Sequence, residues 1–162
     1  MVSFFPSPPL HGRPCITQVE LTELEQTALS MLLAGDDPML DLLRTQFSIA
    51  TIVSREMTGV GFFTNFVVPE SVERTEPKNF VIGDVHADMR GLAYGAGLLL
   101  FVRDGCPRML EGFTYEGAWP SEPYITEIYY MHHEPPDGPM LKRCEVRDMQ
   151  QLRASWSGRL GK

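Results

Sequence analysis

Between Thr51 and His133 the chain carries six strand-like runs, and nothing between them is long enough to return the chain as a helix. The runs are "TIVSREMT" (51–58), "VGFFTNFVV" (60–68), "NFVIGDVHADM" (79–89), "LLLFVRD" (98–104), "RMLEGFTYE" (108–116) and "YITEIYYMHH" (124–133). Each is rich in β-branched and aromatic residues and is bounded by glycine, proline or polar clusters. Neighbouring strands with such short connections pair antiparallel, because a parallel crossover needs a dozen or more residues. This excludes a doubly wound sheet, which requires strands and helices to alternate.

The segment before the strands has a different period. Thr22 and Glu25 have the spacing of a capping box, in which the hydroxyl accepts the amide three residues on and the carboxylate reaches back. Leu24, Ala28, Met31 and Leu32 then fall on one helical face. Gly35 stops this helix. Asp37-Pro38 starts a second, with the carboxylate as cap and proline suited to the first turn. Met39, Leu42, Leu43 and Phe47 form its apolar stripe. The fold class expected is α+β: two N-terminal helices packed on one face of a mostly antiparallel sheet of about six strands.

Three parts are expected along the 162 residues: a Pro-rich arm (1–16), a single α+β domain (17–133) and a basic C-terminal tail (134–162), the last with a short helix within 143–156. The tail from Leu141 to Lys162 holds six basic and two acidic residues, so it carries +4, and the total of −7 leaves −11 on the first 140 residues. A body so acidic repels a phosphate backbone and attracts a basic protein surface. No run reaches the ~18 apolar residues of a membrane helix. The first fifteen residues have neither a basic n-region nor a useful apolar stretch. Cys15, Cys106 and Cys144 are far apart and form no CxxC. The expected setting is the cytoplasm, with reduced thiols and with neither nucleic acid nor membrane as partner.

One stretch invites a catalytic reading. "FVIGDVHADM" ends an apolar run in Gly-Asp-Val-His, which resembles the opening motif of the calcineurin-like metallophosphoesterases. If residues 80–88 stay extended, Phe80, Ile82, Asp84, His86 and Asp88 share one face. A carboxylate–imidazole–carboxylate set of Asp84, His86 and Asp88 suits zinc, manganese or iron. The resemblance implies further blocks, a second aspartate in "GDxxDRG" and an Asn-His pair. Only "RDG" (103–105) remains of these, and no Asn-His occurs. His132-His133 point to opposite faces of a strand and cannot easily share one metal. Cys106 falls in an expected hairpin loop, Gly105-Cys106-Pro107, near Arg103 and Arg108. No P-loop, GxGxxG or GxSxG is present, so no cofactor is expected.

A broader likeness covers residues 21–120. "REMTGVGFFTNF" (55–66), "LLLFVRDG" (98–105) and "MLEGFTYEGAWP" (109–120) together resemble a group of small, single-domain bacterial proteins of uncharacterised function. That resemblance implies a stand-alone domain and no activity. Tyr115, Trp119 and Tyr124 are the aromatic residues that would anchor a partner if they share an exposed patch. The function expected is therefore a non-catalytic protein-interaction module, in its concrete form a toxin-neutralising protein whose acidic body meets a basic toxin. The alternative is a divalent-metal-dependent hydrolase using Asp84, His86 and Asp88.

Overall fold

The computed structural model describes residues 19–136 and 138–157. The expected arm, 1–16, lies outside them. Both N-terminal helices begin where their caps place them. Helix α1 (Glu23–Leu32) opens on Thr22: the Glu25 amide donates to Thr22 Oγ1 at 3.2 Å, and the Thr22 amide donates to Glu25 Oε2 at 2.6 Å. Helix α2 (Pro38–Ser48) opens on Asp37, whose Oδ1 accepts from the Met39 amide at 2.8 Å.

Seven strands follow: β1 (Thr51–Met57), β2 (Gly61–Val67), β3 (Phe80–Met89), β4 (Ala96–Arg103), β5 (Cys106–Thr114), β6 (Ile125–His133) and β7 (Leu141–Cys144). They form one sheet in the order β1-β2-β5-β4-β3-β6-β7, with every neighbouring pair antiparallel. The fold is α+β, as the sequence implies. The sheet has one strand more than expected, because β7 is built from the basic tail. A last helix, α3 (Met149–Trp156), is capped by Asp148.

The β4–β5 connection differs from the expected loop. Arg103 pairs with Cys106, so the turn is the two residues Asp104-Gly105, with φ of 51° and 72°. Two positive φ values are what a type I′ hairpin turn needs, and Asp-Gly supplies them. Cys106 is thus the first residue of β5 and is buried, with Arg74 Nη1 at 2.8 Å from its sulfur rather than either neighbouring arginine.

The register assigns each strand residue to a face. Phe62, Thr64 and Phe66 of β2 lie beside Leu110 and Gly112 of β5, then Ala96, Leu98, Leu100 and Val102 of β4, then Phe80, Ile82, Val85 and Ala87 of β3. These residues are buried. The apolar side chains among them share one cluster with Leu24, Leu32, Leu40, Leu43, Leu152 and Trp156 of the three helices. Buried Glu25 ties α1 to the sheet, accepting from Arg55 Nε at 2.7 Å and from the Thr64 hydroxyl.

Two features shape the rest of the sheet. First, β3 carries a bulge at Gly83-Asp84, where the pairing with β4 jumps from Ile82↔Leu100 to Val85↔Leu98. An inserted residue inverts the alternation beyond it. Second, the β3–β6 ladder runs only over Val85–Met89. Below it, α3 stands in for a strand: Gln151 accepts from the His133 amide at 2.9 Å and donates to the His133 carbonyl at 2.8 Å. Between these elements lies a cleft of about 540 Å³ lined by Gly83, His86, His132 and Gln151 among others.

Arg147 closes the C-terminal segment onto the body. Its Nε and Nη2 donate to the two oxygens of Asp84 at 2.7 and 2.6 Å. Its Nη1 donates to the Leu32 and Ala34 carbonyls at 3.0 and 2.6 Å, and its guanidinium lies over the Tyr130 ring. Arg153 pairs with Asp37 at 2.6 Å and Lys142 with Glu134 at 2.8 Å. Among the described residues, Arg147 and Arg153 of the tail are thus paired with carboxylates of the body, and Lys142 with one of the tail itself.

Candidate functional site

The face of the sheet opposite the core cluster is built by the same register from the residues in between. One row across it reads Asn65, Met109, Phe101 and Val81, and the next reads Glu56, Phe63, Glu111 and Leu99. A third row reads Gly61, Phe113, Gly97, His86 and Tyr129. Apart from Glu56, which is exposed, the side chains in these rows are half-buried. They shelter one another, and at the β3 end Val81 and His86 line the cleft they share with Gln151 and Ser155 of α3.

Glycine makes the third row possible. A Cβ on Gly97 would come within 2.4 Å of Phe113 Cζ, so the phenyl ring lies flat where a side chain would otherwise stand. Tyr115 then meets Phe113 edge-on at 5.2 Å and stacks on the His86 ring at 5.8 Å. Tyr115 hydroxyl and His86 Nδ1 are 2.7 Å apart. Burial pushes the His86 pKa down, against the opposing pull of Asp84, and pushes the Tyr115 phenol up. Both groups are therefore neutral near pH 7, and they share a hydrogen bond without charge. Tyr129 stacks on the other side of His86 and donates to Asp88 Oδ1 at 3.1 Å. Arg143 covers Tyr129, its guanidinium carbon 3.6 Å from the ring centre, and binds Asp88 at 2.9 Å and Glu127.

The Asp84–His86–Asp88 row expected from regular alternation does not form. The bulge leaves Phe80 and Ile82 in the core and puts His86 and Asp88 on the opposite face, while Asp84 is turned to Arg147. Each of the three is already engaged: Asp84 by Arg147, His86 by Tyr115, Asp88 by Tyr129 and Arg143. Among the described residues no three His, Cys, Asp or Glu side chains converge as a metal ion would require. His132 and His133 likewise have separate neighbours, Cys144 Sγ at 3.1 Å and the Gly138 carbonyl at 2.9 Å.

The three aromatic residues expected to share a patch are dispersed. Tyr115 is 51% exposed and belongs to the row just described. Trp119 is buried in the core cluster, edge-on to Phe62 at 5.3 Å. Tyr124 is exposed under Arg90, whose guanidinium carbon is 4.5 Å from its ring centre. The surface residues that sequence reasoning misses are Phe63, Leu99, Phe113 and, above all, Glu111. Glu111 has apolar neighbours on every side: Phe63 and Leu99 across the strands, Met109 and Phe113 along its own. Its carboxylate has no hydrogen-bond or ion-pair partner among the described residues, and burial raises its pKa. The signal was the alternation of "MLEGF" itself: with Leu110 inward, Met109, Glu111 and Phe113 must all face outward.

No helix among the described residues is long and apolar enough to cross a membrane. Comparison with family models, with curated proteins and with solved structures found no match.

Proposed function

We propose that this protein is a binding module and that the open sheet face is where it holds a partner protein. The observation that carries this reading is the half-buried aromatic and aliphatic surface formed by Phe63, Leu99, Phe101, Met109 and Phe113, with exposed Tyr115 beside it and no described element packed over these six. From Phe63 on β2 to Tyr129 on β6, reached through His86 in the third row, the face extends about 19 Å, and from residue 109 to 113 about 14 Å, at the usual strand spacing and rise. A contiguous apolar patch of a few hundred Å² on a globular protein marks an interaction surface. The flanking charges are tied up: Asp88 and Glu127 with Arg143, Asp84 with Arg147. That leaves the surface with a polar rim and an apolar centre, the anatomy of a protein interface. Neutralising a toxin by occupying its surface is one activity such a module performs without catalysis.

Photo-crosslinking tests the reading. A benzophenone amino acid placed at position 101 or 113 in the full chain, in the cells that make it, should yield a discrete heavier adduct. The same group at Val146, exposed on the segment before α3, should not. Equal adducts from both places, or none from the sheet face, would refute it.

A further inference from the structure

We infer that the open face recognises a protein segment that presents one lysine or arginine within an apolar surface, with the cation seated on Glu111. This rests on the proposal that the face binds a protein. It goes further by naming the chemistry that chooses the partner.

The inference starts from a cost. A carboxylate set among Phe63, Leu99, Met109 and Phe113 is half-buried, gives up part of its hydration and receives no bond from the described residues in return. Burying a polar group without a partner is unfavourable, and evolution or design would replace it with an apolar side chain if folding were its only purpose. Every other carboxylate near these rows has an answer. Asp88 and Glu127 bind Arg143, and Asp84 binds Arg147. Glu56, in the same row, stands at the exposed edge on β1. Arg103, whose guanidinium lies over the Phe101 ring, donates to the Phe80 and Val102 carbonyls and not to Glu111. Glu111 is thus the one acid of the apolar centre, and what it lacks is a cation delivered from outside.

Charge and shape agree on what delivers it. The chain as a whole, docked tail included, carries −7, so a basic partner is drawn to it. A lysine or arginine has an aliphatic stem that can lie on Leu99, Phe63 and Phe113 while its head reaches the carboxylate. Once the partner excludes water, a charged hydrogen bond to Glu111 becomes stronger than the same bond in solvent. A second copy of this chain fits less well. Face to face, two copies would bring two unpaired carboxylates into one apolar interface, where like charges repel.

Selection from a library of random twelve-residue displayed peptides on the immobilised full chain provides the test, run in parallel on the parent, Glu111→Gln and Phe63→Ser. Each variant is first checked by its melting transition. The parent should enrich peptides in which one Lys or Arg is flanked by apolar residues. Glu111→Gln should lose that basic position while keeping apolar peptides, and should bind the parent's peptides about tenfold more weakly or worse. Phe63→Ser should lose both. If enrichment depends on Phe63 but the basic position is absent or survives Glu111→Gln, the inference fails and the binding face stands. If Phe63→Ser changes nothing, or no peptide enriches, the face itself is refuted and this inference with it. A merely structural Glu111 would give the reverse pattern, with Glu111→Gln lowering the melting temperature and leaving peptide preference untouched.

Discussion

Replacing Arg147 by methionine removes one guanidinium and with it five contacts. Methionine keeps most of the stem volume, so the change is mainly one of charge and hydrogen bonding. The Arg147 side chain is 5% exposed and that of Asp84 is 20% exposed. Without Arg147, Asp84 loses its ion-pair partner in a mostly dry site, and the Leu32 and Ala34 carbonyls lose their donor. Breaking a buried pair from one side costs about 3–5 kcal/mol. The partial exposure of Asp84 and the position of the carbonyls at the end of α1 let water return, which places the expected loss near the lower limit, about 3 kcal/mol. For a domain of this size that corresponds to a fall in melting temperature of roughly 10 °C. Removing both charges in Arg147→Met/Asp84→Asn leaves only the carbonyls short of a donor, a cost of about 1–2 kcal/mol. The two sites should therefore couple by more than about 1 kcal/mol in a double-mutant cycle measured by urea unfolding. Hydrogen exchange should show residues 141–156 opening first in the single variant, because β7 and α3 are joined to the body through this pair. A single variant within about 1 kcal/mol of the parent, or additive effects at the two sites, would refute the reasoning.

Three further outcomes are expected. For Glu25, burial works to raise the pKa, but the bonds from Arg55, Thr64 and the Thr22 amide outweigh it and hold it below its ordinary value. A depressed carboxylate stabilises above the unfolded pKa and loses that contribution as pH falls through the folded one, so Glu25→Gln should flatten the loss of stability seen below about pH 4.5 in acid titration of the melting temperature. Glu111 has the opposite sign: its raised pKa means the folded chain protonates first, so Glu111→Gln should stabilise the free protein at pH 7 by about 0.5 kcal/mol after solvent screening, a gain that calorimetry should find fading as pH drops toward 4.5. Gly97→Ala places a Cβ 2.4 Å from the Phe113 ring. It should cost about 1–3 kcal/mol as overpacking and turn Phe113 off the face, visible as changed ring-current shifts of the His86 and Tyr115 signals in NMR.

Local chemistry carried much of the fold into the sequence. Thr22 with Glu25 and Asp37 with Pro38 act within a few residues of themselves, so their helices could be placed without knowing the rest. Strand runs and short connections were enough for an antiparallel sheet. What could not be read is what depends on register. Tyr115 meets His86 across 29 positions of chain, and Phe113 meets Gly97 through a pairing that no window of sequence contains. The row of Asp84, His86 and Asp88 was misread because one extra residue broke the alternation, although an isolated glycine within a strand run, Gly83, is a known sign of a bulge. Trp119 looked like an anchor because composition alone does not say which side of the sheet a loop returns to. The tail's basic residues were legible as charge but not as partners of Asp84, Asp88 and Asp37.

The bulge at Gly83-Asp84 has a consequence for how this protein can change over time. It takes up one residue more than β4 supplies opposite it, so the faces on either side of it match those of a strand one residue shorter. Losing either Gly83 or Asp84 would leave one residue opposite Leu99 and a regular ladder, with Val85 and Ala87 still inside and His86 and Asp88 still outside. Kin shorter by one residue at that point would show the same surface, whereas a deletion elsewhere in the strand would turn it inside out.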